Sequence, residues 1–453
     1  MKPSTSTRPV VVPSTSFILV IVAAIASVSV GAGVTRSPSM TLVLLVGCVL
    51  LAVAVTRPAV LFAVCTILLA VEPTRIFGAD TIVGKPETYK LALFALILPI
   101  VLSRGVARKK CAPLAAYIVV TILAAWLGTP LVGLTASQTA ASLITLCIGW
   151  LVFAVNWDWR RDHRLLEVLA WTPVLSVAVG VVLQTLGIYS LFGGASTPRL
   201  EGATVAAWLG TFSLCAVVAC SVLYRREQWK WAKWLGLADV SILGGTLTRG
   251  AVLALCVVAV PWVIRFARRQ LVAKGTNGLV QLGLAVVVVI IGAALLIPGL
   301  RERDESATSH TAGGSGVHDE SSGRLRAWAF AYEQAKVNLV FGRGLGAGPI
   351  VGRSPGSPAG FTAQHNEYVR MLLEVGIVGG VILLTAMLAT MISLIRNTPR
   401  LVRADLAAAA AAFAIYAITE NTLSATPISV AMLLLFGVAG SGARPLSSKR
   451  ASV

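Results

Sequence analysis

The stretch QHNEYVRMLLEVGIVGG, residues 364 to 380, places a histidine, an asparagine and two glutamates where the chain enters a long apolar run. His365 is one of four histidines; His163 falls in a basic loop, and His310 and His318 in a Gly/Ser-rich stretch. An imidazole takes up a proton near neutral pH, so a histidine at a polar to apolar boundary is a candidate general base. The same residues also suit a plain helix start, because Asn366 is a good capping residue and Glu367 is favourable at a helix N-terminus. Glu374 lies nine residues after His365, so on an ideal helix the two face similarly, one above the other. It is placed either to orient a polar group or an arginine, or to pack against a neighbouring helix. Glu420 and Asn421, at the end of a later apolar run, are supporting candidates of the same kind.

Three arginines join these residues. Arg199 stands in STPRLEGA, Arg249 interrupts apolar sequence in LGGTLTRGAVLALC, and Arg324 opens a segment reading SSGRLRAWAF, with Arg326 an equal candidate on composition. An arginine between apolar half-segments is costly unless it faces a polar cavity or a partner, although Arg249 also suits a short turn between two spans. Guanidinium groups are permanently charged and present planar paired donors that fit phosphate oxygens. Several of them beside a histidine suggest group transfer from a lipid-linked phosphate donor.

The elements that must position these groups are membrane helices. The 453 residues are 56% hydrophobic and 13% charged, outside the range of soluble domains. Apolar runs fall near 17 to 34, 40 to 55, 59 to 71, 89 to 103, 112 to 130, 137 to 155, 165 to 187 and 202 to 223. Others fall near 234 to 248, 250 to 265, 279 to 297, 367 to 395, 406 to 423 and 427 to 443. This predicts an all-α polytopic membrane protein of about 12 to 14 transmembrane helices, in one integral membrane domain over 1–453. The first run lacks an A-x-A-like cleavage site and is followed by further spans, so it reads as a helix rather than a cleaved signal.

The basic loops RGVARKK, NWDWRRDHR, RREQWKWAK, RFARRQLVAK and RNTPRLVR follow alternate spans and so share one side. By the positive-inside rule that side is the cytoplasm, with both termini, and the candidate site is extracytoplasmic. The formal charge of +19 is thereby read as topology-setting charge rather than a nucleic-acid footprint. The seven cysteines lie in or beside apolar segments without paired ligand spacing, so neither disulfides nor zinc are expected.

One large extracytoplasmic loop, residues 298–364, is polar. Its first part is charged and Gly/Ser-rich. Its second predicts a membrane-surface helix over about 323–340, capped by Ser322, with Leu325, Trp328, Ala329, Tyr332 and Leu339 on its apolar face. The Gly-rich FGRGLGAGP follows; it does not join a strand to a helix, which makes it a weak phosphate cradle.

The stretches SGRLRAWAFAYEQAKVNLVFGRGLGAG and HNEYVRMLLEVGIVGG resemble the central block of the O-antigen ligase and O-antigen polymerase family. TLTRG is similar to that family's arginine-glycine step at the end of a span, and RLEG to its first outer arginine, though ATVAAWLG then stands where an Asn/Pro-containing stretch is expected. The likeness covers about 165–440 and is most specific over 323 to 380. It implies a metal-independent glycosyltransferase, with no cofactor, that moves a glycan from an undecaprenyl-diphosphate carrier to the hydroxyl of a glycan or glycolipid acceptor at the outer face of the bacterial cytoplasmic membrane. Residue by residue, it implies that Arg199, Arg249 and Arg324 hold the diphosphate and that His365 receives or positions the acceptor's proton. Asn366, Glu374 and Glu420 would support them. The partners implied are the lipid-linked donor, the acceptor and the bilayer, with no nucleic acid. A transporter or flippase of charged cargo is the alternative; it needs ionisable residues along a path through the midplane, whereas these polar residues gather at one side.

Overall fold

The computed structural model describes residues 104–193, 198–274, 320–357 and 365–442, with isolated positions between 63 and 101. The spans expected near 17 to 34, 40 to 55 and 279 to 297, most of those near 59 to 71 and 89 to 103, and the first part of the 298–364 loop lie outside the described residues. The architecture is all-α and polytopic, with five helices long and apolar enough to cross a membrane among the described residues.

In chain order the helices are α1 (Ala112–Leu127), α2 (Ala136–Ala154), the single turn α3 (Trp159–Asp162) and α4 (Arg164–Thr185). An antiparallel pair of two-residue strands follows, β1 (Phe192–Gly193) and β2 (Arg199–Leu200), then α5 (Ala206–Glu227), α6 (Ala232–Gly245) and α7 (Arg249–Lys274). After the undescribed stretch come α8 (Glu320–Ala335), α9 (Ala347–Gly352), α10 (Glu367–Asn397), α11 (Arg400–Tyr416) and α12 (Thr426–Ala439). The two spans expected near 234 to 248 and 250 to 265 are unequal. Helix α6 has 14 residues, about 21 Å at 1.5 Å per residue, too short to cross alone, whereas α7 extends past Arg265.

Local sequence sets the helix starts. Thr135 and Gln138 form a reciprocal capping box on α2, and the Asn366 side chain accepts from the N–H groups of Tyr368 and Val369 at 3.0 and 3.1 Å on α10. Helix α5 is buried on every side from Leu209 to Cys220, the signature of a central helix. It packs against α4, α6, α7, α11 and α12.

The bundle has two chemically distinct ends. At one, Arg225 lies 2.9 Å from Asp405, Arg265 pairs with the same carboxylate, Arg226 donates to the Ala439 and Ser441 carbonyls, and its guanidinium sits 3.5 Å over the Trp159 ring. Arg104 closes this end with a 2.8 Å pair to buried Asp162. At the other, Thr248 donates to the Ala206 carbonyl at 3.3 Å and Thr211 to Tyr416 Oη at 3.1 Å, joining the starts of α5 and α7 to the end of α11.

Helix α10 is interrupted at Gly376, whose φ of 67° and ψ of −171° are not helical. A break inside an apolar run frees backbone groups that lipid cannot satisfy. The Gly-rich segment after α8 satisfies them: Arg343 and Gly344 donate to the carbonyls of Leu373 and Glu374 at 2.8 and 3.0 Å, and Ile377 and Val378 donate to those of Leu339 and Val340 at 2.9 and 3.1 Å. Glycine is required on both sides. A Cβ at Gly376 would lie 2.4 Å from the Val340 oxygen, and one at Gly342 would lie 2.6 Å from the Glu374 carbonyl. FGRGLGAG is therefore a plug for a broken helix rather than a phosphate cradle.

Helix α8 begins at Glu320, so Ser322 falls within its first turn rather than at its cap. Ala327, Ala331 and Ala335, at four-residue spacing, are buried, while Leu325 and Tyr332 are exposed. Small side chains let α8 approach α10 closely, and the larger ones are left outward.

Candidate active site

His365 sits immediately before the Asn366 cap in the left-handed region, with φ of 47°. A non-glycine residue is held there only by its surroundings. Those surroundings come from the end of α11: the Glu367 N–H donates to the Ala417 carbonyl at 2.9 Å, and Tyr368 Oη donates to that of Ala414 at 2.8 Å. Tying the start of α10 to the end of α11 brings His365 Nδ1 to 3.3 Å from Glu420 Oε2.

The other oxygen of Glu420 meets Arg324. Its Nη2 lies 3.4 Å from Glu420 Oε1, and its Nη1 donates to the Thr419 carbonyl at 2.9 Å. Arg326, two residues further along α8, is exposed, so the fold decides between the two arginines of SGRLR. Arg249 reaches the same corner by backbone approach: a Cβ at Gly250 would lie 2.2 Å from Thr419 Oγ1, so the arginine-glycine step can abut Thr419 only with glycine there. Arg199 is carried by β2 opposite Gly193, and the next residue, Leu200, packs on Gly245 at the end of α6. Arg199 and Arg249 thus stand at the same end as His365, without lining the cavity beside it.

That cavity, about 330 Å³, is bounded by His365, Arg370, Glu374, Glu420 and Asn421 on one side, and by Ser142, Thr145 and Trp208 on another. Its floor is a buried ion cluster in the first turns of α10. Arg370 donates through Nε to Glu367 Oε1 at 3.0 Å and pairs with Glu374 Oε2 at 2.5 Å. Glu374 also accepts from the Gly348 N–H at 3.1 Å, which ties α9 to α10, and Ser424 donates to Glu367 at 3.4 Å. All three charged side chains are buried, and two carboxylates against one guanidinium leave the cluster formally negative.

His365, Glu374 and Glu420 therefore meet at one cavity, and Arg324 joins through Glu420. Asn366 contributes the cap that starts α10. Arg370 is not among the residues that stand out along the chain. Its signal was present as Glu367, Arg370 and Glu374 at spacings of three and four, which put three ionisable groups on one helical face.

Chemically, the arrangement combines a histidine held by a carboxylate, a set of arginines at the same end, and a cavity with an indole wall. Such a site can position a hydroxyl, take its proton and stabilise a departing anion. Residues 237–384 match the protein-family model described as O-Antigen ligase. The matched stretch takes in Arg249, Arg324, His365, Asn366 and Glu374, and leaves out Arg199 and Glu420. No curated protein matches the chain at a significant level.

Proposed function

We infer that the chain, with the O-antigen ligase match over 237–384 supporting its membership of that family, works at the bacterial membrane in cell-surface polysaccharide assembly. We propose that it transfers a glycan from an undecaprenyl-diphosphate carrier to an acceptor hydroxyl at the outer face of the cytoplasmic membrane. The observation that carries this reading is the convergence of His365 and Arg324 on opposite oxygens of Glu420 at the edge of a polar cavity.

In this mechanism the acceptor hydroxyl enters the cavity beside His365. A carboxylate only accepts, so Glu420 selects the tautomer with the proton on Nδ1 and makes Nε2 the basic nitrogen. The acceptor oxygen attacks the anomeric carbon, its proton passes to Nε2, and the bond from that carbon to the phosphate oxygen breaks. Undecaprenyl diphosphate leaves with the bonding electron pair. Arg249 and Arg324, with Arg199, hold the diphosphate and stabilise its charge as it departs, a contribution of several kcal/mol in a partly dry site. Trp208 offers an aromatic wall against which a sugar ring can lie.

A second feature supports a lipid-linked donor. An apolar groove of about 480 Å³ follows α10 between Tyr368 and Ile395, with α11 and α12 as its other walls, and Glu367 is common to the groove and the ion cluster. It is shaped to take an isoprenoid chain alongside the polar cavity.

The test is glycan transfer by the purified protein from a polyprenyl-diphosphate donor, with Arg249→Ala and His365→Ala beside the parent. Transfer by the parent that is lost in both folded variants supports the mechanism. Unchanged transfer in both removes these residues from it, and movement of the donor across liposomes without transfer puts a flippase in its place.

A further inference from the structure

At the end opposite the cavity, α5, α6 and α7 line a further pocket of about 390 Å³. The lining is graded. Along α5 the pocket passes from Val217 through Cys220 and Ser221 to Tyr224 and Arg225, an axial length of about 12 Å at 1.5 Å per residue. Along α6 it runs the other way, from Lys233 through Gly236 and Leu237 to Val240. Both helices place their cation at the end near their shared loop and their apolar side chains one to two turns deeper.

The mouth carries excess positive charge. Arg225 and Arg265 share the single carboxylate of Asp405, which also accepts from Trp262 Nε1 at 3.1 Å, so among the described residues two guanidinium groups face one carboxylate. Lys233, exposed and 4.9 Å over the Tyr224 ring, adds another cation, and Arg269 is within electrostatic reach of Arg225. The flank of α6 marks the level of this mouth in the bilayer. Trp231, Trp234 and Leu237 are 60%, 70% and 59% exposed, with two indoles at the charged end and an aliphatic side chain deeper. Indoles gather at the boundary between headgroups and hydrocarbon.

We propose that this pocket binds an anionic phospholipid, its phosphate between Arg225 and Lys233 and one acyl chain along Val217, Leu237 and Val240. A soluble anion would use the cations and leave the apolar floor unfilled, and a zwitterionic lipid would use the floor and gain little from the charge. Basic pockets between membrane helices bind anionic headgroups, and a basic residue near an anionic membrane surface is worth about 1 kcal/mol, equivalent to about fivefold in binding. The site is distinct from the cavity at His365 and does not depend on the reaction assigned there.

The experiment is native mass spectrometry of the delipidated full chain titrated with phosphatidylglycerol or phosphatidylcholine of identical acyl chains. The parent is expected to retain phosphatidylglycerol preferentially. Lys233→Gln, at an exposed position, should lower that retention about fivefold and leave phosphatidylcholine unchanged. Gly236→Leu should weaken both lipids by filling the floor; a Cβ there meets only Cys220 Cβ at 3.5 Å, so the variant should fold. Equal retention of the two lipids by the parent, or no effect of Lys233→Gln, overturns the proposal. Displacement of the lipid by millimolar inorganic phosphate also overturns it, in favour of a site for free anions.

Discussion

His365 Nδ1 lies 3.3 Å from Glu420 Oε2, across 55 residues of sequence. The relationship is built by backbone: Glu367 bonds to Ala417, Asn366 caps α10, and the left-handed conformation of His365 turns its ring towards the end of α11.

If this carboxylate orients the histidine, replacing Glu420 by Gln should slow glycan transfer while the protein stays folded. Loss of the base in His365→Ala should cost roughly 10² to 10⁴ in rate, and Glu420→Gln a smaller factor in the same direction. Initial rates with saturating donor test this. A Glu420→Gln rate equal to that of the parent would remove the carboxylate from the mechanism.

The broken helix makes a stability prediction. Gly342→Ala and Gly376→Ala each force a left-handed alanine against backbone, at 2.6 and 2.4 Å, and should each lose roughly 1–3 kcal/mol. Gly380, four residues beyond the break, has open space for 4 Å around the point where a Cβ would stand, so Gly380→Ala should be neutral or slightly stabilising. Melting temperatures in one detergent should separate the first two variants from the third.

The ion cluster on α10 should be more sensitive to losing its cation than to losing a carboxylate. Arg370→Met leaves Glu367 and Glu374 buried without their guanidinium, a change costing about 3–5 kcal/mol in buried pairs. Adding Glu374→Gln should recover part of that loss. A double variant no more stable than Arg370→Met alone would mean that the cost lies in packing.

Lys110, in a short 3-10 turn before α1, supplies a pH dependence. Burial pushes its ammonium down to about 8, against an ordinary value near 10.5, with the Phe153 ring 5.1 Å away. The folded chain then releases this proton before the unfolded chain does, so the contribution to stability rises with pH between about 8 and 10.5. Below that window the charged form carries a desolvation cost. Lys110→Met should therefore melt higher than the parent at pH 7, with the difference shrinking towards pH 10.

Much of this protein was legible along the chain because its signals are local. Hydropathy predicts the helices, since a run of apolar residues must satisfy its own backbone in lipid. Asn366 announces the start of α10, because a cap acts within three residues. Arg249, Arg324 and His365 stand out as costly polar residues beside apolar runs. What the chain does not display is where side chains from distant segments meet. Glu420 as the partner of both His365 and Arg324, and the choice of Arg324 over Arg326, follow from how α8 and α11 pack around the start of α10. The break at Gly376 was hidden inside an apolar run. It is stable only because Gly342 and its neighbours arrive from another segment to satisfy the freed backbone groups, and a hydrogen bond between segments is a property of tertiary structure alone.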